Sequence, residues 1–156
     1  MPHINRVRLV NVNYNDAKSL YDDFLMEFNG KAATYDLVNG GGKSVLLLMM
    51  LQNVIPNVYL KSDRPVKNIF LGGNPRRTSH SLIEWILDDD SEYKYMLTGF
   101  CARRRNSADE TEEVDSRLEV EYFNYCYLYN SYNENDIKHL PLMEKHNDES
   151  IVMSYE

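Results

Sequence analysis

Apolar, β-branched residues recur through residues 4–12, partly alternating with Asn5, Arg6, Arg8 and Asn11, and this predicts a first strand. Residues 13–16 (Asn-Tyr-Asn-Asp) form a turn cluster. Phe24, Met26 and Phe28 fall on one face of a second strand, and Asn29-Gly30 is a hairpin-type turn signal. The extended stretch over residues 33–38 then leads into Asn39-Gly40-Gly41-Gly42, which is too glycine-rich for either regular structure. From Lys43 to Val54 the only polar residues are Lys43, Ser44, Gln52 and Asn53. A helix apolar all round is a buried helix, and Pro56 sets its latest end.

Residues 66–71 read as a short buried strand, broken by Gly72-Gly73-Asn74-Pro75. Thr78 or Ser79 is placed to cap a helix through Leu82, Ile83, Trp85 and Ile86. Asp88, Asp89 and Asp90 oppose the helix dipole and stop it near Leu87. Residues 95–104 and 118–129 are long β candidates flanking an acidic loop at 106–117, and they predict an antiparallel hairpin. The tail over 130–150 is polar and expected to be poorly structured, with a last strand at 151–153.

Composition adds bounds. A chain of 156 residues, 43% hydrophobic and 26% charged, is one domain's worth of globular protein. Its longest apolar run, residues 45–51, is far short of a membrane span, and no basic-then-apolar leader opens the chain. Cys101 and Cys126 alone make no disulfide framework, so a reducing cytoplasm is the expected setting. The net charge of −7 is uneven. Residues 1–77 carry 10 Lys+Arg against 6 Asp+Glu, whereas residues 78–156 carry 7 against 18. An acidic total argues against a surface coated for nucleic acid but leaves room for a local basic site in the first half.

The chemistry concentrates in Asn39-Gly40-Gly41-Gly42-Lys43-Ser44, lying between a predicted strand and a predicted helix. That is the context of a phosphate-binding P-loop. Glycines let backbone N–H groups turn inward around an anion, and the helix N-terminus adds partial positive charge. Lys43 is placed to reach the β- and γ-phosphates, Ser44 to ligate Mg²⁺, and Val45 to complete the set of nucleotide-binding residues. One position departs from the usual pattern: Leu37 stands where the first glycine is expected. The plainer alternative is a glycine-rich turn before a buried helix, with an incidental lysine.

The form Asn-Gly-x-Gly-Lys-Ser, after only two short strands from Met1, resembles the ATPase heads of SMC-type proteins. The segment 7–14 (Val-Arg-Leu-Val-Asn-Val-Asn-Tyr) is similar to the first strand of those heads. Residues 51–57, 76–85 and 97–100 resemble the MukB-like branch, which includes the SMC subunit of Wadjet plasmid-defence systems. The likeness covers about residues 3–130, with the P-loop its one sharp motif.

The resemblance implies an α/β fold: the N-terminal P-loop lobe of an ABC/SMC-type ATPase head, with a mixed sheet and an antiparallel hairpin, formed by residues 1–156 as one unit. It implies ATP and Mg²⁺ as ligands. It also implies that hydrolysis takes Walker B carboxylates from a C-terminal half and a signature motif from a second head, since neither motif occurs here. The implied partners are that C-terminal half, a second head as a homodimer, kleisin-type subunits and the DNA backbone, with no membrane. The implied process is DNA loop handling in chromosome segregation or plasmid defence.

Weaker features have plainer readings beside them. Arg76 and Arg77 are candidates for a phosphate or DNA contact, or a solvated basic turn. Arg103, Arg104 and Arg105 suit a DNA-facing edge, or pairing with Glu110, Glu112 and Glu113. Four scattered histidines have no ligand spacing with either cysteine, which argues against a zinc site. The tyrosines at 122, 125, 127, 129 and 132 suit a half-buried hairpin better than a stacking surface. Two other function classes stay open: a different small P-loop NTPase or kinase, and a non-hydrolysing interaction module.

Overall fold

The computed structural model describes residues 1–15, 18–55, 78–104, 120–146 and 149–152. Its elements are β1 (His3–Tyr14), β2 (Ser19–Glu27), α1 (Lys43–Val54), β3 (Thr78–Ile86), β4 (Tyr95–Arg104), β5 (Val120–Tyr129), β6 (Met143–His146) and β7 (Glu149–Val152). The first five strands form one sheet in the order β2-β1-β3-β4-β5, and β6 and β7 form a separate hairpin. Every pairing among these strands is antiparallel, where a mixed sheet was expected.

The sheet is covered on both faces. Val7, Leu9 and Ile83 pack against Leu46 and Met49 of α1. On the other face Val10, Leu82 and Leu97 pack against Ile137, Leu140 and Leu142 of the tail. β1 is buried on both faces, which accounts for its dense run of apolar residues. Asn11 has a left-handed φ of 55°. The alternation changes phase there: Val10 faces the tail while Val12 joins Val7 and Leu9 on the helix side. The Asn11 side-chain amide donates to the Thr78 carbonyl at 2.6 Å, and the Ser79 hydroxyl donates to the Asn11 carbonyl, so the kink is tied to the start of β3.

Three expectations need correction. Residues 78–87 are not a helix but the central strand β3. Thr78 through Glu84 are all buried, so neither a period of two nor one of 3.6 shows in the apolar residues. The polar side chains of this strand are satisfied inside: the Ser81 hydroxyl donates to the Met49 carbonyl at 2.9 Å, and Glu84 pairs with Arg6. Residues 33–38 are not a strand but run in no regular element. The tail is not poorly structured through 133–142, where Asp136, Ile137 and Leu142 are fully buried.

The helix α1 stands where the sequence placed it, with Leu46, Leu48, Met49 and Gln52 buried. It is not buried all round, since Leu47 and Val54 are just over half exposed. The hairpin of β4 and β5 is also present, with Tyr125 lying over Gly99, where an added Cβ would sit inside the tyrosine ring. The expected strand at 66–71, Arg76, Arg77, Arg105 and the acidic loop lie outside the described residues. No described helix is long and apolar enough to cross a membrane.

Candidate phosphate-binding loop

The loop at the start of α1 is built from its glycines. The Gly41 N–H donates to the Val38 carbonyl at 2.9 Å and closes a tight turn. Gly40 and Gly42 have φ of +82° and +78°, in the left-handed region that a side chain makes costly. Gly42 is the N-cap of α1 and makes no side-chain cap. The first helical bond runs from the Leu46 N–H to the Gly42 carbonyl at 2.8 Å. The N–H groups of Lys43, Ser44 and Val45 therefore precede the helical ladder, and there is no acidic residue in the first turn to engage them. Asn39, Gly40, Lys43 and Ser44 are exposed, and Val45 packs partly into the core.

Three residues besides the glycines hold this loop. Leu37 packs against the helix-side core, so the position that lacks the expected glycine serves as an apolar anchor for the incoming chain. Tyr14 and Tyr21 pack as a tilted pair with ring centroids 4.5 Å apart, and Tyr21 stacks on Phe24 at 4.9 Å. A Cβ on Gly42 would come within 2.7 Å of the Tyr21 hydroxyl and 2.9 Å of the Tyr14 ring. The Tyr21 hydroxyl donates to the Gly41 carbonyl. Burial, with Tyr14 beside it, pushes the Tyr21 hydroxyl above the usual tyrosine range, so it stays protonated as a donor at neutral pH. The motif alone does not point to the two tyrosines. Their signal is the pairing of β1 with β2, which sets Tyr21 opposite Val12 and beside the loop.

The loop brings Asn39, Gly40, Gly41, Gly42, Lys43, Ser44 and Val45 together at one helix N-terminus, facing outward with Lys43 on the same turn. Chemically, the arrangement suits an anion of several oxygens. Among the described residues no cluster of His, Cys, Asp or Glu has the makings of a metal site. A concavity of about 460 Å³ opens at the other end of β1, lined largely by apolar side chains including Ile4, Phe28 and Trp85. His3 there lies eleven residues along the strand from Tyr14, roughly 35 Å away, so it takes no part in the loop.

The remaining polar side chains of the interior are structural. The Glu84 carboxylate takes bonds from Arg6 at 2.6 and 2.7 Å, from Asn5 at 2.5 Å and from Tyr129. Arg6 also lies 3.4 Å from Asp136 and 4.3 Å from the Tyr132 ring centre. Burial works against the Arg6 charge, but Glu84 outweighs it and holds the guanidinium above its ordinary pKa. Burial and Glu84 likewise push the Tyr129 hydroxyl upward. His80 is enclosed between Cys101, with Sγ 3.9 Å from Nε2, and the Tyr125 hydroxyl at 3.3 Å from Nδ1. Burial drives the Cys101 thiol up to about 12, against the lowering effect of Arg103, so it is no nucleophile at neutral pH.

No protein-family profile, curated protein or solved structure matches this chain.

Proposed function

We propose that this chain is the ATP-binding lobe of an SMC/MukB-like, ABC-type ATPase head with a P-loop NTPase core. The observation that carries the reading is the loop itself. Two left-handed glycines deliver a helix N-terminus with open N–H groups, and Lys43 and Ser44 stand exposed beside them. Lys43 neutralises the β- and γ-phosphate charge, and the N–H groups of Gly42, Lys43, Ser44 and Val45 hold phosphate oxygens. The exposed Ser44 hydroxyl would offer one oxygen to a Mg²⁺ arriving with the nucleotide. Bound Mg²⁺ would supply Lewis-acid stabilisation of the γ-phosphate.

Hydrolysis, in which water adds to the γ-phosphorus and the bond to the bridging oxygen breaks, belongs to a composite site. Its carboxylates and signature residues come from the C-terminal half and a second head. Supporting this, residues 33–38 have no strand partner among the described residues, Val38 is 78% exposed, and Leu47 of α1 is exposed too. The C-terminal half would cover Val38 and Leu47. The remaining partners are kleisin-type subunits and the DNA backbone, with Arg76 and Arg77 as candidate contacts, and the setting is the cytoplasm or nucleoid.

The test is ATP binding and turnover by the chain alone, by Lys43→Ala, and with the C-terminal half of an SMC-type head supplied. The reading expects binding without turnover, lost in Lys43→Ala, and turnover once the other half is present. Turnover by the isolated chain, lost in Lys43→Ala, would favour a self-contained P-loop enzyme. A folded chain that binds no nucleotide would leave an interaction module.

A further inference from the structure

Peptide planarity turns one hydrogen bond into an orientation of the loop. The carbonyl of Gly41 and the N–H of Gly42 belong to one trans peptide unit, so they point in opposite directions. The Gly41 carbonyl is held by the Tyr21 hydroxyl, which comes from β2. The Gly42 N–H is thereby turned away from the sheet, toward the open side of the loop. The same contact removes a carbonyl, a repulsive group for any anion, from that side. Tyr21 is itself fixed, being 7% exposed and packed between Tyr14 and Phe24. Because Gly42 carries no Cβ, the Tyr14–Tyr21 pair sits directly against its backbone.

We infer that Tyr21 is a positioning residue for the phosphate loop, setting the Gly41–Gly42 peptide with its N–H outward before any ligand arrives. This rests on the phosphate-binding reading above, and the experiment separates the two. Tyr21→Phe keeps the ring and its stacking but loses the hydroxyl. Amide hydrogen exchange is followed in the ligand-free protein, and binding of tripolyphosphate is measured by calorimetry. With protection of β1 and β3 unchanged, the bonded amides at the two ends of the loop, Gly41 (to the Val38 carbonyl) and Leu46 (to the Gly42 carbonyl), are expected to exchange about tenfold faster. Tripolyphosphate affinity is expected to fall about five- to tenfold, the effect of one hydrogen bond.

Unchanged loop exchange and unchanged affinity in the folded variant overturn the inference. If the unsubstituted protein binds no tripolyphosphate, the phosphate reading fails, and loop exchange alone then decides whether Tyr21 orders the loop. Should Tyr21→Phe lose protection throughout, the Tyr21 hydroxyl proton of the unsubstituted protein decides. Slow exchange with water supports the bond to Gly41, and fast exchange overturns it.

Discussion

Arg6 on β1 and Glu84 on β3 stand directly opposite each other in the sheet and pair side by side through two hydrogen bonds, both side chains inside the protein. Removing one partner leaves a buried charge uncompensated. Glu84→Gln or Arg6→Ala is expected to cost about 3–5 kcal/mol in urea unfolding. An apolar double replacement, Arg6→Met with Glu84→Leu, should cost less than the two single changes summed. Strict additivity would mean the two side chains act independently.

Arg8 holds the tail. Its guanidinium pairs with Asp23 through bonds of 2.7 and 2.8 Å, and it donates to the carbonyls of Ile137 and Leu140, each at 2.9 Å. Arg8→Met is expected to speed amide exchange across residues 133–142 by at least tenfold, the scale of two lost bonds. Asp23→Ala should do so only weakly, because that carboxylate is 40% exposed and water replaces part of what it provides.

The loop glycines should differ under alanine substitution. Gly40 has open space around its missing Cβ, so Gly40→Ala meets only the backbone strain of its left-handed φ, about 1–2 kcal/mol. Gly42→Ala meets that strain and a clash with Tyr14 and Tyr21 together. Thermal melting should rank Gly42→Ala clearly below Gly40→Ala, and only the former should displace the Tyr14–Tyr21 pair in aromatic NMR spectra.

Alkaline stability should report Cys101. Its thiol ionises at about 9 in the unfolded chain but at about 12 in the fold. The folded state therefore holds its proton more tightly. Stability is fully present below pH 9 and declines as pH rises toward 12, by about 1.4 kcal/mol per pH unit from this group. Cys101→Ala should flatten that part of a melting-temperature profile. In native protein at neutral pH a disulfide reagent should titrate the exposed Cys126 and spare Cys101.

The parts of the fold that one strand or helix decides for itself were legible from residue order. β1 shows in its β-branched run, α1 in its glycine start and apolar body, and the β4–β5 hairpin in its two long β segments. What escaped depends on partners distant in sequence. β3 reads as a helix because Thr78 or Ser79 suits a cap ahead of Leu82, Ile83, Trp85 and Ile86, whereas in the fold Ser79, His80, Ser81 and Glu84 each find a place against β1, α1 or the other side of the sheet. The tail reads as polar and loose, yet Asp136 spends its polarity on the Lys138 and His139 N–H groups, at 2.9 and 3.0 Å, and shapes a turn. The glycine loop was legible as a motif, while its support by Tyr14 and Tyr21 was not, because a hairpin register and not a spacing brings them to it.

The arginines of β1 also set an order of events. Arg6 waits for a partner 78 residues further on, and Arg8 for carbonyls 129 and 132 residues further on. Contacts of such separation form late, because a long loop must close before they yield anything. As the chain leaves a ribosome, β1 is made long before the residues that complete its polar contacts. Until residue 140 has emerged, the face of β1 that carries Val10 lacks its cover of Ile137 and Leu140, and that face is open to wrong partners.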